Sequence, residues 1–254
     1  MATGALRRRA VTLMTGTVLA AVASTAGPAA GVASQGPSAT SADGIRPPPV
    51  DCRTTPCVAL TFDDGPTGYT PAVVRALERQ HAVATFFLIG PHALRHRADV
   101  LREYRDGDAI GDHTVTHPHL TRLPPDRIRR ELGTAARQIA SVTGHRPTIC
   151  RPPFGAWNAK VRAAAAGAGL SVVMWNVDPR DWKHHDPRLI ERRVLAGVRP
   201  GAVVVLHDRY ATTPPAVPYL LRALKARGYA PVTVPQLFAT SGGMRSGVVY
   251  HHGP

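Results

Sequence analysis

The sequence predicts a parallel α/β domain. Seven short apolar runs with the length and composition of buried strands recur after residue 57. Segments with helical start signals separate these runs, and such alternation is typical of strand–helix units built around a parallel sheet. Hydrophobic residues make up 44% of the 254 positions, enough for a large core, which excludes wholesale disorder. A closed barrel and an open doubly wound sheet both fit this alternation.

The predicted strands share runs of Val, Ile, Leu, Phe or Ala with few polar interruptions, as expected for strands buried on both faces. They lie at Val58–Phe62, Ala84–Ile89, Ala109–Gly111, Thr148–Cys150, Ser171–Val177, Ala202–Leu206 and Pro231–Val234.

Capping signals mark the predicted helices. Thr70 and Asp186 each precede a proline, so we expect helices that start there and run to Gln80 and to about Val198. Asn158 is the predicted cap of an alanine-rich helix that ends near Gly167 to Gly169. The other predicted helices are Pro91–Asp106, Pro125–Val142 and Ala216–Arg227.

The ends of the chain differ in composition from its middle. Residues 1–34 have the layout of a secretory signal peptide, with Arg7 to Arg9 before an apolar stretch and a small-residue exit. A retained anchor is the alternative, but the stretch is broken too often for a stable membrane span. We expect a linker at 35–50, one domain at 51–240 and a flexible tail at 241–254.

The charge balance limits the classes of binding partner that we expect. The formal net charge is +14, and removing residues 1–34, which hold three arginines and no acid, leaves +11. An excess of positive charge favours binding to an anionic cell wall by a secreted protein. Basic residues do not alternate with aromatic ones, so nucleic acid is not an expected partner. The first strand is followed by Asp63 and Asp64 and not by a glycine-rich phosphate turn, which argues against nucleotide binding.

Three cysteines are too few for a disulfide-rich or multi-cysteine metal scaffold. Cys52 and Cys57 lie five residues apart, just before the first strand, and export would place them in an oxidising compartment. We expect a disulfide between them, with two unpaired thiols as the alternative. Cys150 lies in an apolar strand and is expected to be a buried free thiol.

Polar residues follow the ends of several predicted strands. Because parallel strands end on the same side of a sheet, these side chains can converge on one face. They are Asp63, Asp64, His113, His117, Arg151, Asp178, Asp181, His207 and Asp208.

Two of these histidines indicate a metal site. His113 and His117 are four apart, so one helical turn would place both imidazoles on one side. Two histidines and one carboxylate, with open positions, suit a catalytic Zn²⁺. No glutamate lies between the histidines, so the general base must come from elsewhere. Of the adjacent Asp63 and Asp64, one can bind the metal while the other takes a proton from water.

Five blocks of sequence now appear in order, and together they strongly resemble the NodB-type polysaccharide deacetylases, carbohydrate esterase family 4. The resemblance covers about residues 52–240 and implies an irregular (β/α) barrel with about seven parallel strands. The blocks are Thr61–Pro66, His113–His117, Arg151–Gly155, Asp178–Trp182 and Leu206–Asp208.

Transferred position by position, the resemblance implies a catalytic role for Asp63 as the base. It implies a metal triad of Asp64, His113 and His117, with a divalent ion, most simply Zn²⁺, as cofactor. Arg151 matches the arginine that holds and orients the base.

The remaining matches concern the substrate and the leaving group. The backbone N–H of Phe154 matches an oxyanion-hole donor, while Trp175 and Val205 match apolar walls of the acetyl pocket. His207 matches the general acid, and Asp181 matches the aspartate that pairs with it.

The implied function is that of a secreted or cell-wall-associated, metal-dependent deacetylase. It would hydrolyse N-acetyl groups of GlcNAc-containing glycans, either peptidoglycan or chitin oligomers, and release acetate. An O-acetyl-xylan esterase of the same fold and a catalytically inactive cell-wall-binding protein are the alternatives. We expect a monomer.

Overall fold

The computed structural model describes residues 50–254, which form one sheet surrounded by helices. The predicted signal peptide at 1–34 and almost all of the predicted linker lie outside the described residues. The strands are β1 (Cys57–Asp63), β2 (Thr85–Leu88), β3 (Ala109–Asp112), β4 (Ile149–Cys150), β5 (Ser171–Val173), β6 (Ala202–His207), β7 (Ala230–Pro231) and β8 (Val249–Tyr250). The helices are α1 (Thr70–Arg79), α2 (Gly90–Arg95), α3 (Arg97–Arg105), α4 (Pro125–Thr143), α5 (Ala159–Gly167), α6 (Pro187–Gly197), α7 (Thr213–Ala226) and α8 (Val234–Ala239).

The sheet is parallel throughout, with the strand order β6-β1-β2-β3-β4-β5-β8, and β7 pairs with the beginning of β1. Beyond β5 the chain comes round to β6, where Val177 forms a bridge with Val204. The predicted parallel (β/α) barrel class is confirmed, and the carboxyl ends of its strands share one side.

Strand β1 is the centre of the core because it pairs with β6, β2 and β7. All seven of its residues are buried. Side chains alternate between faces along a strand, so Val58, Leu60 and Phe62 join one apolar cluster while Cys57 and Ala59 join another. Burial on both faces accounts for the unbroken apolar run in the sequence.

The register of β1 and β6 places Asp63 directly beside His207. Both residues end their strands, and the neighbouring β2 reaches the same level with Phe87 beside Asp63. The central strands therefore deliver two ionisable side chains to one edge of the barrel.

Two predicted helix caps are confirmed and one is wrong. The side chain of Asn158 accepts a hydrogen bond from the Val161 N–H, and that of Asp186 accepts one from the Arg188 N–H. At α1 the cap is Tyr69, and Thr70 is the first helical residue. The Thr70 hydroxyl instead donates to the buried carboxylate of Asp208.

Two predicted elements are longer than the observed ones. The helix expected over Pro91–Asp106 is divided between α2 and α3 at His96, whose φ of −113° and ψ of 43° are not helical. The strand expected over Ser171–Val177 ends at Val173. Its last carbonyl and that of Met174 accept hydrogen bonds from the side chain of Arg151.

The C-terminal part of the chain corrects two further expectations. Val234 is the first residue of α8 and does not end a strand, because Thr233 and Gln236 form a capping box. The tail expected to be flexible after Thr240 contains β8, which pairs with β5. Its Tyr250 ring packs edge-on against Phe238 with the ring centroids 4.8 Å apart.

The cysteines lie at separate points of the fold. A disulfide joins Cys52 to Cys57 at the amino-terminal end of β1, and Cys150 is a buried free thiol in β4. Within residues 50–254, none of the helices combines the length and the apolar character needed to cross a membrane.

Candidate active site

A cleft of about 510 Å³ opens at the carboxyl ends of the strands. Eight of the ten residues to which the family resemblance gives a role line it, although they come from five separate segments of the chain. They are Asp63, Asp64, His113, His117, Phe154, Trp175, Val205 and His207. The other two, Arg151 and Asp181, are fully buried and contact the cleft residues from within the barrel.

Arg151 holds Asp63. Its Nη1 donates to Asp63 Oδ1 at 2.8 Å and to the Thr61 hydroxyl at 2.6 Å. Its Nε and Nη2 donate to the carbonyls of Val173 and Met174 at 3.2 and 3.0 Å. Four acceptors thus fix the plane of the guanidinium, and the guanidinium fixes one oxygen of Asp63.

Asp64, His113 and His117 form a cluster whose ligand atoms all lie within 4.8 Å of one another. Asp64 Oδ1 lies 3.5 Å from His113 Nε2 and 3.2 Å from His117 Nε2, yet this buried oxygen has no hydrogen-bond donor among the described residues. His113 Nδ1 donates to the Arg151 carbonyl at 2.7 Å, which leaves Nε2 as the free lone pair. An unpaired carboxylate oxygen between two imidazole nitrogens fits a divalent cation of the zinc type.

The electrostatics of this cluster favour positive charge. Burial acts to raise the pKa of Asp64, yet the imidazoles of His113 and His117 hold that pKa well below its usual value. Burial acts to lower the pKa of His113, but the negative charges of Asp63 and Asp64 raise it. A metal cation bound between these side chains would be stabilised by the same negative charges that favour the protonated imidazoles.

The loop from His113 to His117 is not the helical turn expected from its spacing. Thr114 and His117 have φ values of 70° and 54°, in the left-handed region. Three β-branched residues separate the histidines and Pro118 follows them, and neither feature favours a right-handed helix. The imidazoles still meet, with ring centroids 5.0 Å apart, because the loop folds back on itself.

His207 is paired with Asp181. Asp181 Oδ1 lies 2.8 Å from His207 Nδ1, and its Oδ2 accepts the His207 N–H at 2.7 Å and the Thr213 hydroxyl at 2.8 Å. Burial acts to lower the pKa of His207, but the hydrogen bond and charge of Asp181 outweigh it and raise that pKa to about 9. The imidazole is therefore held in its protonated form near neutral pH, with Nε2 left for a substrate.

An apolar wall adjoins these polar groups. Phe154 is in the left-handed region, with φ 60° and ψ 13°, and its ring is exposed. Gly155 has φ 65°, and a Cβ there would lie 2.8 Å from the Trp175 ring, so only glycine fits. Val205 of β6 adds a buried side chain to the same wall.

Sequence reasoning missed several contacts. Thr61 and Thr213 supply hydroxyls to Arg151 and Asp181, and His92 Nδ1 donates to the Asp64 carbonyl at 2.9 Å. Arg209 lies in the cleft with Nη1 3.3 Å from Asp64 Oδ2. Its position directly after Leu206–Asp208 was the one available signal. The rings of Trp182 and Tyr210 also line the cleft.

A parallel barrel that gathers a held carboxylate, a His–His–Asp cluster and an Asp–His pair in one cleft has the groups of a metal-dependent hydrolase. The sequence profile of the polysaccharide deacetylases matches residues 51–173. Over 203 residues the chain is 40% identical to a chitooligosaccharide deacetylase of a Bradyrhizobium species, covering 74% of this chain and 93% of the relative. The chain belongs to the polysaccharide deacetylase family.

Two further comparisons agree with this assignment. The peptidoglycan-N-acetylglucosamine deacetylase PgdA of Listeria monocytogenes is 36% identical over 187 residues, which are 73% of this chain. They are only 40% of the Listeria protein, so the match spans about two fifths of that relative. The solved structure of the T48 deacetylase with substrate superposes with a TM-score of 0.75 at 39% identity, covering 79% of this chain and 99% of that one.

The geometry of the cluster predicts a metal-binding defect in His113→Ala. Removing one of three ligands should weaken Zn²⁺ binding by more than the ~100-fold seen for changes around a ligand set. Isothermal titration with Zn²⁺ measures this, and His145→Ala is the control because His145 is exposed and contacts Tyr104 instead of the cleft. Stoichiometric, tight Zn²⁺ binding by His113→Ala would rule out the triad.

Proposed function

We propose that this protein is a metal-dependent deacetylase that removes N-acetyl groups from GlcNAc-containing glycans and releases acetate. The observation that carries the proposal is the meeting of three units in one cleft: Asp63 on Arg151, the Asp64–His113–His117 cluster, and His207 on Asp181. Amide hydrolysis needs a base, an electrophile that polarises the carbonyl, and an acid for the leaving nitrogen. Each unit supplies one of them.

Asp63 is the proposed general base. Its carboxylate lines the cleft, and Arg151 occupies one oxygen, which leaves the other to accept a proton from water. The fixed guanidinium prevents the carboxylate from turning away, so the base is oriented before substrate arrives. A positioned base of this kind contributes about 10²–10⁴-fold to a rate.

Asp64, His113 and His117 are the proposed ligands of a divalent cation. Bound there, such an ion would polarise the acetyl carbonyl and make a water molecule more acidic. The side chains fix three ligand positions and leave the cleft side open, as catalytic sites require. Zn²⁺ is the expected ion because two imidazoles and one carboxylate suit it.

The apolar wall is the proposed acetyl pocket. Trp175 and Val205 offer a surface for the methyl group, and the Phe154 backbone N–H is the proposed donor to the developing oxyanion. One donor of this kind is worth roughly 3–4 kcal/mol in other acyl-transfer enzymes. The left-handed backbone at Phe154 and the glycine that follows shape this turn.

His207 is the proposed general acid. As water adds to the carbonyl, its proton passes to Asp63 and the carbonyl becomes tetrahedral. The C–N bond then breaks while His207 Nε2 donates a proton to the amine. Acetate and a free amino sugar leave, and Asp181 supports the imidazolium until that transfer.

The glycan substrates rest on the relatives and on the lining of the cleft. The Listeria and Bradyrhizobium relatives are named for peptidoglycan N-acetylglucosamine and for chitooligosaccharides. The open cleft carries the exposed rings of Phe154 and Trp182, and sugar faces stack readily on such rings. We also propose that the protein is secreted as a monomer, with residues 1–34 as its signal peptide and 51–240 as the core of its catalytic domain. Its positive charge would favour binding to an anionic cell wall.

Acetate release is the direct test of this function. The protein should release acetate from peptidoglycan or chitin oligomers, lose that activity with a chelator, and regain it with Zn²⁺. Release from acetylxylan alone would favour the O-acetyl esterase alternative. Glycan retention without any acetate release would favour an inactive wall-binding protein.

Asp63→Asn should keep the metal and lose most of its turnover, because an amide cannot accept the proton of water. We expect kcat to fall about 10²–10⁴-fold, with Zn²⁺ content unchanged by elemental analysis. If metal is lost together with activity, the roles proposed for Asp63 and Asp64 must be exchanged.

Asp181→Asn should shift the pH dependence of the reaction. The carboxylate raises the pKa of His207 to about 9, and the acid works only below that pKa. Without the negative charge, the alkaline limb of the kcat profile should move to lower pH by about one to three units. Metal content should not change. A profile that stays in place would make Asp181 a structural partner of Thr213 and His207 only.

A further inference from the structure

The short loop between His113 and His117 is held in an unfavourable conformation. Two of its residues, Thr114 and His117, have left-handed backbone angles although neither is glycine. Such angles persist only where surrounding contacts fix them.

Each backbone N–H of the loop has an acceptor. The Thr114 N–H donates to Asp112 Oδ1 at 2.7 Å, and the His117 N–H donates to the Thr114 hydroxyl at 3.1 Å. The N–H groups of Val115 and Thr116 both donate to Glu131 Oε2 at 2.9 Å. Half of the loop therefore depends on one side chain from a different element, the helix α4.

Glu131 is committed to this loop. Its second oxygen, Oε1, accepts the Thr116 hydroxyl at 2.8 Å, so both carboxylate oxygens are occupied by the loop. The residue is 8% exposed and has no ion-pair partner within residues 50–254. A buried carboxylate that is satisfied by backbone N–H groups instead of a cation fixes the backbone that it binds.

The two histidines differ in how much they need this support. The His113 ring is anchored independently, since its Nδ1 donates to the Arg151 carbonyl and its side chain is 2% exposed. The Nδ1 of His117 makes no hydrogen bond with the described residues, and that side chain is 25% exposed. The His117 ring packs edge-on against Phe154, with the centroids 4.7 Å apart, so the direction of its Nε2 toward Asp64 depends on that contact and on the backbone that Glu131 holds.

We propose that Glu131 is a positioning residue for the metal site: by binding Val115 and Thr116 it holds His117 in the ligating position. The inference rests on the proposed function, because it assumes that the Asp64–His113–His117 cluster binds a divalent cation. Glu131 itself does not line the cleft, so its effect reaches the ion through His117.

Metal affinity tests the proposal without any use of catalysis. Competition with a chromophoric chelator gives the Zn²⁺ Kd, and the visible absorption of the Co²⁺-loaded protein reports the ligand geometry. Glu131→Ala should raise the Zn²⁺ Kd about 10–100-fold and change the Co²⁺ spectrum. Glu131→Gln should give a smaller rise, because its amide oxygen can still accept both backbone N–H groups.

Glu78→Gln is the matched control. Glu78 also accepts two hydrogen bonds through its carboxylate, but from Arg102 between α1 and α3, outside the cleft. Its substitution should lower the melting temperature without changing the Zn²⁺ Kd.

The result that overturns the proposal is an unchanged Kd and Co²⁺ spectrum in folded Glu131→Ala. If the alanine variant does not fold, the same result in Glu131→Leu, which removes both acceptor oxygens but fills the space, overturns it. An equal rise of Kd in Glu78→Gln would also overturn it, since general destabilisation would then explain the effect. Failure of the unmodified protein to bind Zn²⁺ or Co²⁺ would refute the proposed metal site, and this inference with it.

Discussion

The buried guanidinium of Arg151 is the interaction on which the rest of the site depends. Its donors reach Asp63 and Thr61 on β1 and the carbonyls at the end of β5, while its own carbonyl accepts His113 Nδ1. The proposed base, one proposed metal ligand and the strand that leads to Trp175 are thus tied to one residue. The same bonds give the carbonyls of Val173 and Met174, where β5 ends, a donor from outside the sheet.

Such an arrangement has a large energetic consequence. A fully buried charge is tolerated only when it is paired and hydrogen-bonded, and breaking a buried pair by removing one partner typically costs 3–5 kcal/mol. Asp63 and Arg151 therefore support each other in stability as well as in position. The guanidinium also lies over the Phe87 ring at 4.2 Å, so an aromatic face on β2 replaces part of the lost hydration. The contacts of Arg151 therefore serve both the proposed function and the stability of the fold.

The sequence predicted the alternation of strands and helices and the side on which the polar residues meet, because both follow from strand polarity and apolar patterning. It failed at the His113–His117 loop, where spacing alone suggested a helical turn. The actual shape depends on Glu131 and on Asp112, contacts that no local pattern reveals. It also failed at β8, whose residues Val249 and Tyr250 favour a strand but form too short a run to predict one without the pairing with β5. Thr213 was missed because an isolated threonine carries no signal until the fold brings it to a partner. Thr61 and Arg209 lie in or next to the sequence blocks, but the blocks do not reveal which side chains they contact.

The pairing of β1 with β6 has a consequence for how such a site can change. Asp63 and His207 are 144 positions apart in the chain, yet they are register partners on adjacent strands. Neighbouring strands lie about 4.8 Å apart, so the backbone pairing of β1 with β6 fixes the distance between the proton acceptor and the proton donor. A one-residue slip would turn one of them to the opposite face. Inserting or deleting a single residue inside either strand would therefore separate the two halves of the proton transfer.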